Sequence, residues 1–262
     1  LWSKAASYLP PKGLMYPKHN LVFGGGVALN CAANSKLANL GLFDDIWIMP
    51  NPGDAGSSIG CIAAAEKKFL NWQHPFLGHN IEGEYPVDKI IKELKENKMC
   101  GVANGRAEFG PRALGNRSIL CKPYPSKMKD YLNKRVKFRE YFRPFAPAVL
   151  KENSKEYFNL NQESPHMLIA CKAKKNKKNL IPAVVHVDET CRVQTVTKET
   201  NLKFYKLIDE FKKISSIPVL LNTSFNIKGQ PMVNTPSQAV DTFLRTKIDI
   251  LAIGDYIITK KK

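Results

Sequence analysis

LVFGGGVALNCAANSKLANLG, residues 21–41, decides the fold class. Residues 21–27 read as a short buried strand running into three glycines, and 28–41 as a helix capped near Gly41. FDDIWIMP, residues 43–50, reads as a second strand stopped by Pro50, and NPGDAGSSIG, residues 51–60, as a turn that opens a second helix through IGCIAAAEKKFLNW. A strand, a glycine loop and a helix, followed by the same order again, predict an α/β architecture.

Outward from this stretch, residues 71–86 (NWQHPFLGHNIEGEYP) carry no clear periodicity and read as a linker. VDKIIKELKENK then sets Val87, Ile90, Ile91 and Leu94 on one helical face. The expected organisation is a first domain over 1–70, a linker over 71–85 and a second domain over 86–262. Further strands are expected at 145–150, 167–171, 181–187, 191–196, 217–221 and 250–258, and helices at 126–135, 201–214 and 236–247. Pro236 suits the first turn of the last helix, where a missing N–H costs nothing. The run KAKKNKKN at 172–179 has no apolar face and reads as a solvated loop.

The bulk properties exclude several classes. Of the 262 residues 44% are hydrophobic, too many for a disordered chain. No apolar run approaches the roughly 20 residues of a membrane span. The opening LWSKAASYLPPKG lacks the apolar core and cleavage site of a secretory leader, and it lacks Met. The expectation is a cytoplasmic chain that begins inside a larger protein. Six cysteines, Cys31, Cys61, Cys100, Cys121, Cys171 and Cys191, form no paired motif, so they read as reduced thiols rather than zinc ligands. A net charge of +17 calls for an anionic partner, either phosphate-bearing small molecules or nucleic acid.

Five segments carry candidate chemistry. Gly24, Gly25 and Gly26 at a strand end let a ligand approach the backbone, with a helix N-terminus behind them; a tight turn is the competing reading. Asp54, before a helix, suits either a metal ligand or a cap. In GRAEFGPRALGNRS, residues 105–118, Arg106, Arg112 and Arg117 alternate with Gly105, Gly110 and Gly115. Arginine forks grip phosphate and carboxylate oxygens in pairs, and the glycines suggest a loop that turns them inward. In VKFREYFRPFAPAV, residues 136–149, Lys137, Arg139 and Arg143 alternate with Phe138, Phe142 and Phe145. An extended segment would put Lys137 and Arg139 on one face, where two cations need an anion. Cations interleaved with aromatics also suit nucleic acid. In LLNTSFNIKGQPMVNTP, residues 220–236, an apolar strand runs into Asn222, Thr223, Ser224 and Asn226, which offer hydrogen bonds at a strand end or simply form a turn. Arg192 and Gln194 lie on the strand-like HVDETCRVQTV, residues 186–196.

In order along the chain, GGGVALN, PGDAG, GRAEFGPRALGNRSIL, KFREYFRPFAP, HVDETCRVQTV and NTSFNIKGQP resemble the nodulation-type and antibiotic-type O-carbamoyltransferases. The resemblance implies a YrdC-like second module, a twisted mixed sheet with helices, preceded by part of an actin/hexokinase-like lobe. It implies that the YrdC-like module makes carbamoyl adenylate from carbamoyl phosphate and ATP with Mg²⁺. The other module would pass the carbamoyl group to an acceptor hydroxyl and hold Fe²⁺. Carried over by motif, Lys137-Phe138-Arg139 is similar to the KxR signature of the YrdC-like nucleotide site, and Ser224-Phe225-Asn226 to its SxN signature. Arg112 and Arg117 would join Lys137 and Arg139 at the reacting phosphates. Arg106, Arg143, Arg192, Asn222, Ser224 and Asn226 would bind substrate. Gly24, Gly25, Gly26 and Asn30 match the adenylate-holding loop, and Asp54 the metal-binding aspartate.

Two departures stand out. The histidine motif of the transfer lobe has no counterpart in His19, His74 or His79, so transfer by this chain alone is not expected. Glu189 occupies a position where the resemblance implies glycine. A homodimer is a further expectation. The alternative readings are a truncated, non-catalytic remnant and a basic nucleic-acid-binding module, the latter because relatives of the YrdC-like fold act in tRNA modification.

Overall fold

The computed structural model describes residues 20–260. Residues 1–19, with the opening segment, His19 and the start of the expected first domain, lie outside the described residues. In chain order the elements are β1 (Leu21–Phe23), α1 (Cys31–Asn39), β2 (Ile46–Ile48), α2 (Ser57–Glu66), β3 (Phe76–Ile81), α3 (Val87–Lys95), β4 (Cys100–Ala103), β5 (Gly105–Glu108) and β6 (Arg117–Cys121). There follow α4 (Lys127–Leu132), β7 (Ala146–Leu150), α5 (Lys151–Tyr157), β8 (Ala170–Lys172), β9 (Thr190–Arg192), β10 (Gln194–Val196), α6 (Lys198–Ser215), β11 (Val219–Ser224), α7 (Pro236–Arg245), β12 (Ile250–Ile253) and β13 (Tyr256–Thr259).

A seven-stranded mixed sheet, ordered β10-β7-β11-β6-β4-β12-β13, organises the second module. β10 runs parallel to β7 and β12 parallel to β4; the other neighbours are antiparallel. β4, β6 and β7 are buried at every position, as strands covered on both faces must be. Amphipathic helices supply the cover. α6 buries Phe204, Leu207, Ile208 and Phe211, at the spacing of one helical face. α3 buries Ile90, Ile91 and Leu94. Pro236 stands in the first turn of α7, and Thr235 and Gln238 close a capping box around it. The mixed α/β fold that the resemblance implies is the fold observed.

Among the described residues the first module comprises a two-stranded parallel sheet, β1-β2, with α1 and α2. Gly41, with φ of 65°, follows α1 as its motif predicts. The two modules are tied by buried Asn34, whose side-chain amide donates to the carbonyls of Ala28 (2.7 Å) and Leu168 (2.9 Å). Gln162 donates to the carbonyl of Ile46 across the same seam.

Several expected boundaries move. The presumed linker contains β3, which pairs with β5 through an irregular register, so its alternation is interrupted. No strand forms over 181–187; Pro182–Val184 is a short 3-10 turn. The single strand expected at 191–196 is two, β9 in a hairpin with β8 and β10 in the main sheet. The strand expected at 250–258 is the β12-β13 hairpin, turned at Gly254. All six cysteines are free, with Cys61 exposed.

Candidate functional site

The site grows from the end of β11. Apolar residues carry the strand into the core as far as Leu221, and Phe225 is fully buried, its ring lying over Gly101. With Phe225 anchored inward, Ser224 and Asn226 are left on one side of the chain. Lys137 reaches between them. It is 3% exposed. Its ammonium donates to the Ser224 carbonyl, to Ser224 Oγ (3.2 Å), to the Asn226 carbonyl (3.1 Å) and to Asn226 Oδ1 (2.8 Å). Burial, reinforced by the charge of Arg139, lowers its pKa to about 7.

The backbone that delivers Lys137 is not the extended segment expected. Lys137 ends a π-helical turn, Asn133–Lys137, and Phe138 follows in the left-handed region with φ of 47°. Buried Asn133 organises the loop beyond it. Its amide donates to the carbonyls of Tyr141 and Arg143, and its Oδ1 accepts from Arg139 Nε at 2.8 Å. Lys137 and Arg139 still come close, by a turn rather than by strand alternation.

Beside them lies a cavity of about 230 Å³ lined by Arg112, Arg139, Arg143, Arg192, Thr223 and Ser224 among others, with no acidic side chain in its wall. Arg112 and Arg192 have buried Nε atoms without a hydrogen-bond partner. Burial, aided by the charge of Arg112, brings the Arg192 pKa down to about 10. Burial and then Arg143 bring Arg139 down to about 10, and burial lowers Arg112. Four guanidinium groups therefore share one concavity without counter-charge in its lining. An arrangement of this kind favours a polyanion with oxygens for several forks. With no carboxylate in the wall, a divalent cation here would be held chiefly by the substrate's own phosphates.

The remaining candidates fall elsewhere. Arg117 does not join the cavity. It is wholly buried, and its guanidinium donates to the carbonyls of His79, Asn104, Gly105, Asn116 and Asn234. With its donors spent on backbone, Arg117 knits β3, β5 and the approach to α7 together, which corrects its assignment to the reacting phosphates. Arg106 is exposed on β5 and donates to the Leu77 carbonyl, outside the cavity lining. Asn222 is buried behind the cavity, donating to the Ala113 carbonyl (3.1 Å) and to Gln194 Oε1 (2.8 Å). Glu189 turns away to pair with Lys178 at 2.5 Å.

In the first module, a Cβ added at Gly24, Gly25 or Gly26 would meet open space, and Gly25 has φ of 87°. The Gly25 N–H donates to the Pro52 carbonyl, so this loop rests on the PGDAG turn. Asn30 caps α1 through the Ala33 N–H. Asp54 is exposed at a 3-10 turn. Among the described residues no group of three His, Cys, Asp or Glu could hold a metal, so Asp54 is not part of such a set there. The two modules meet near the arginine loop, where a Cβ at Gly110 would lie 2.6 Å from the Pro50 carbonyl oxygen.

Glu108 was not among the residues picked out from sequence, although it is the only acid in GRAEFGPRALGNRS. It is 7% exposed, and one carboxylate oxygen accepts the N–H groups of Leu114 (2.7 Å), Asn116 (2.9 Å) and Arg117 (3.1 Å). Burial raises its pKa against the pull of those three bonds.

A mixed α/β fold with an arginine-lined cavity defines a broad class, and comparison with known proteins narrows it. Residues 91–260 match the carbamoyltransferase C-terminus family and residues 12–64 the carbamoyltransferase N-terminus family. The chain belongs to the carbamoyltransferase family. It is 38% identical to nodulation protein NolNO of Sinorhizobium fredii, over 92% of this chain and 40% of that protein. It is likewise 38% identical to nodulation protein NolO of Bradyrhizobium diazoefficiens, over 92% of this chain and 49% of that protein. The chain thus spans about half or less of the curated relatives it matches. Among solved structures, full-length HypF superposes with a TM-score of 0.44 at 18% identity, over 68% of this chain and 23% of that one.

Proposed function

We propose that the cavity bounded by Arg112, Arg139, Arg143 and Arg192, with Lys137 beside it, binds ATP and carbamoyl phosphate and joins them as carbamoyl adenylate. The observation that carries this reading is the pair of buried, unpartnered Nε atoms of Arg112 and Arg192 in a wall free of carboxylates. Each buried Nε without a partner is costly, and phosphate oxygens would satisfy it.

Water first cleaves carbamoyl phosphate to carbamate and phosphate. A carbamate oxygen then attacks the α-phosphorus of ATP, the bond to the β-phosphate breaks, and pyrophosphate leaves. Charge neutralisation and alignment of this kind need cations more than a side-chain nucleophile. The open glycine loop at 24–26 is the place for the adenylate on its way to a hydroxyl acceptor, a step that belongs to the whole protein rather than to this chain alone. Among the described residues Asp54 belongs to no group of metal ligands, so no step here runs through iron.

The test is pyrophosphate release from ATP with Mg²⁺, with and without carbamoyl phosphate. Release that depends on carbamoyl phosphate supports the reading; a folded sample giving none sinks it. Arg112→Ala should lower that rate at least about tenfold, and an unchanged rate would remove Arg112 from the site.

A further inference from the structure

We infer that Glu108 is a positioning residue for Arg112, acting through the backbone of the 109–116 loop. The inference rests on the cavity proposed above, and the geometry of the loop carries it. Arg112 Nε has no partner of its own, so no side-chain bond at that atom fixes the guanidinium. The backbone on its C-terminal side is instead gripped from two directions. Glu108 Oε1 accepts from Leu114, Asn116 and Arg117, and the Gly115 N–H donates to Ser118 Oγ at 3.0 Å. From the other direction, the amide of Asn222 donates to the Ala113 carbonyl and that of Gln194 to the Leu114 carbonyl at 3.0 Å. Asn222 also donates to Gln194 Oε1, so the two amides act as one unit. On the N-terminal side, Gly110 packs against the Pro50 carbonyl.

Only one oxygen of Glu108 does the holding; the other is buried without a hydrogen-bond partner. The clamp therefore depends on an acceptor at one point in space rather than on negative charge. An amide oxygen can take the same place, whereas alanine leaves three N–H groups unpaired, two of them buried, an outcome far costlier than the loss of one ordinary bond.

The experiment is calorimetric titration of pyrophosphate into the whole chain, repeated for Arg112→Ala, Glu108→Ala, Glu108→Gln and the double variant Glu108→Ala/Arg112→Ala. Glu108→Ala should weaken pyrophosphate at least about tenfold, and Glu108→Gln should recover it to within about threefold of wild type. If Glu108 works through Arg112, the double variant binds no worse than Arg112→Ala alone. Multiplicative losses, or a glutamine as damaging as alanine, overturn the proposal. Amide exchange at Leu114 and Asn116 is read in the same proteins. Faster exchange in Glu108→Ala than in wild type is expected, and unchanged exchange overturns the clamp. If wild type binds no pyrophosphate, the cavity has been misread, and the inference that Glu108 places Arg112 for anion binding falls with it. In that outcome the exchange data still decide separately whether Glu108 holds the loop. Should Glu108→Ala fail to fold, Glu108→Asp, one methylene short of the three N–H groups, takes its place with the same expectations.

Discussion

At the scale of single residues, Lys137 is set to respond to pH. Burial and Arg139 bring its pKa down to about 7, against the pull of the four oxygens around it. In the empty protein the amine is mostly neutral at pH 8 and mostly charged at pH 6. A polyphosphate arriving beside it favours the charged form, so binding at pH 8 must draw a proton from solution. Calorimetry of ATP binding in two buffers of different ionisation enthalpy should show uptake approaching about one proton at pH 8 and little at pH 6. The affinity should fall about tenfold over that range. Identical heats in both buffers at pH 8 would show that Lys137 does not meet the ligand. Glu189 makes a second case. The glycine that the resemblance implies there is explained by its φ of 65°, a conformation in which a Cβ is strained. The Lys178 pair that Glu189 gains is half-exposed and worth little. Glu189→Gly should therefore raise Tm by about 1–3 °C; a fall would mean that the pair outweighs the backbone.

At the scale of elements, the arginine loop depends on glycines that sequence spacing made visible but did not explain. Gly115 has φ of 120°, and a Cβ there would lie 2.5 Å from a ring carbon of Phe204, which α6 buries completely. Gly115→Ala should thus cost about 3 kcal/mol, combining backbone strain with overpacking, as measured by urea unfolding. Loss of under about 1 kcal/mol would mean that α6 can move aside. The same loop shows how far the sequence could be read. Helical periodicity marked α3, and cations in Lys137-Phe138-Arg139 and polar side chains in Ser224-Phe225-Asn226 marked the candidate site, because both signals are local. The π turn before Phe138 left no such trace, since no side-chain pattern encodes a single displaced hydrogen bond. β3 was hidden by its irregular register. Arg117 looked like Arg112 because both are arginines among glycines. What separates them is whether carbonyls from distant segments, such as His79 and Asn234, have already taken the guanidinium. Glu108 was hidden for the same reason, its three donors being meaningful only once the loop is folded.

At the scale of the whole molecule, the two modules are unequally built. The main sheet has strands buried at every position, β4, β6 and β7, whereas the first module has, among the described residues, two strands of three residues and a helix, α2, none of whose residues is buried. Val22, Trp47, Ile62 and Phe69 stand exposed around it. Few buried apolar contacts mean a low free energy of local opening, whatever the stability of the rest. Amides of α2 should exchange at least about 100-fold faster than those of β4, β6 and β11. Uniform exchange across the chain would show that the seam at Asn34 and Gln162 couples the modules into one cooperative unit. The seam also gives the measurement a functional arm. Gly110 of the arginine loop packs against the Pro50 carbonyl, and the Gly25 N–H donates to the Pro52 carbonyl, so an anion that settles those arginines should hold the glycine loop and the base of α1 that follows it. Pyrophosphate should then slow exchange at the N-terminal end of α1 while leaving α2 fast. Slowing confined to the main sheet would mean that the glycine loop lies beside the cavity without sharing its ligand.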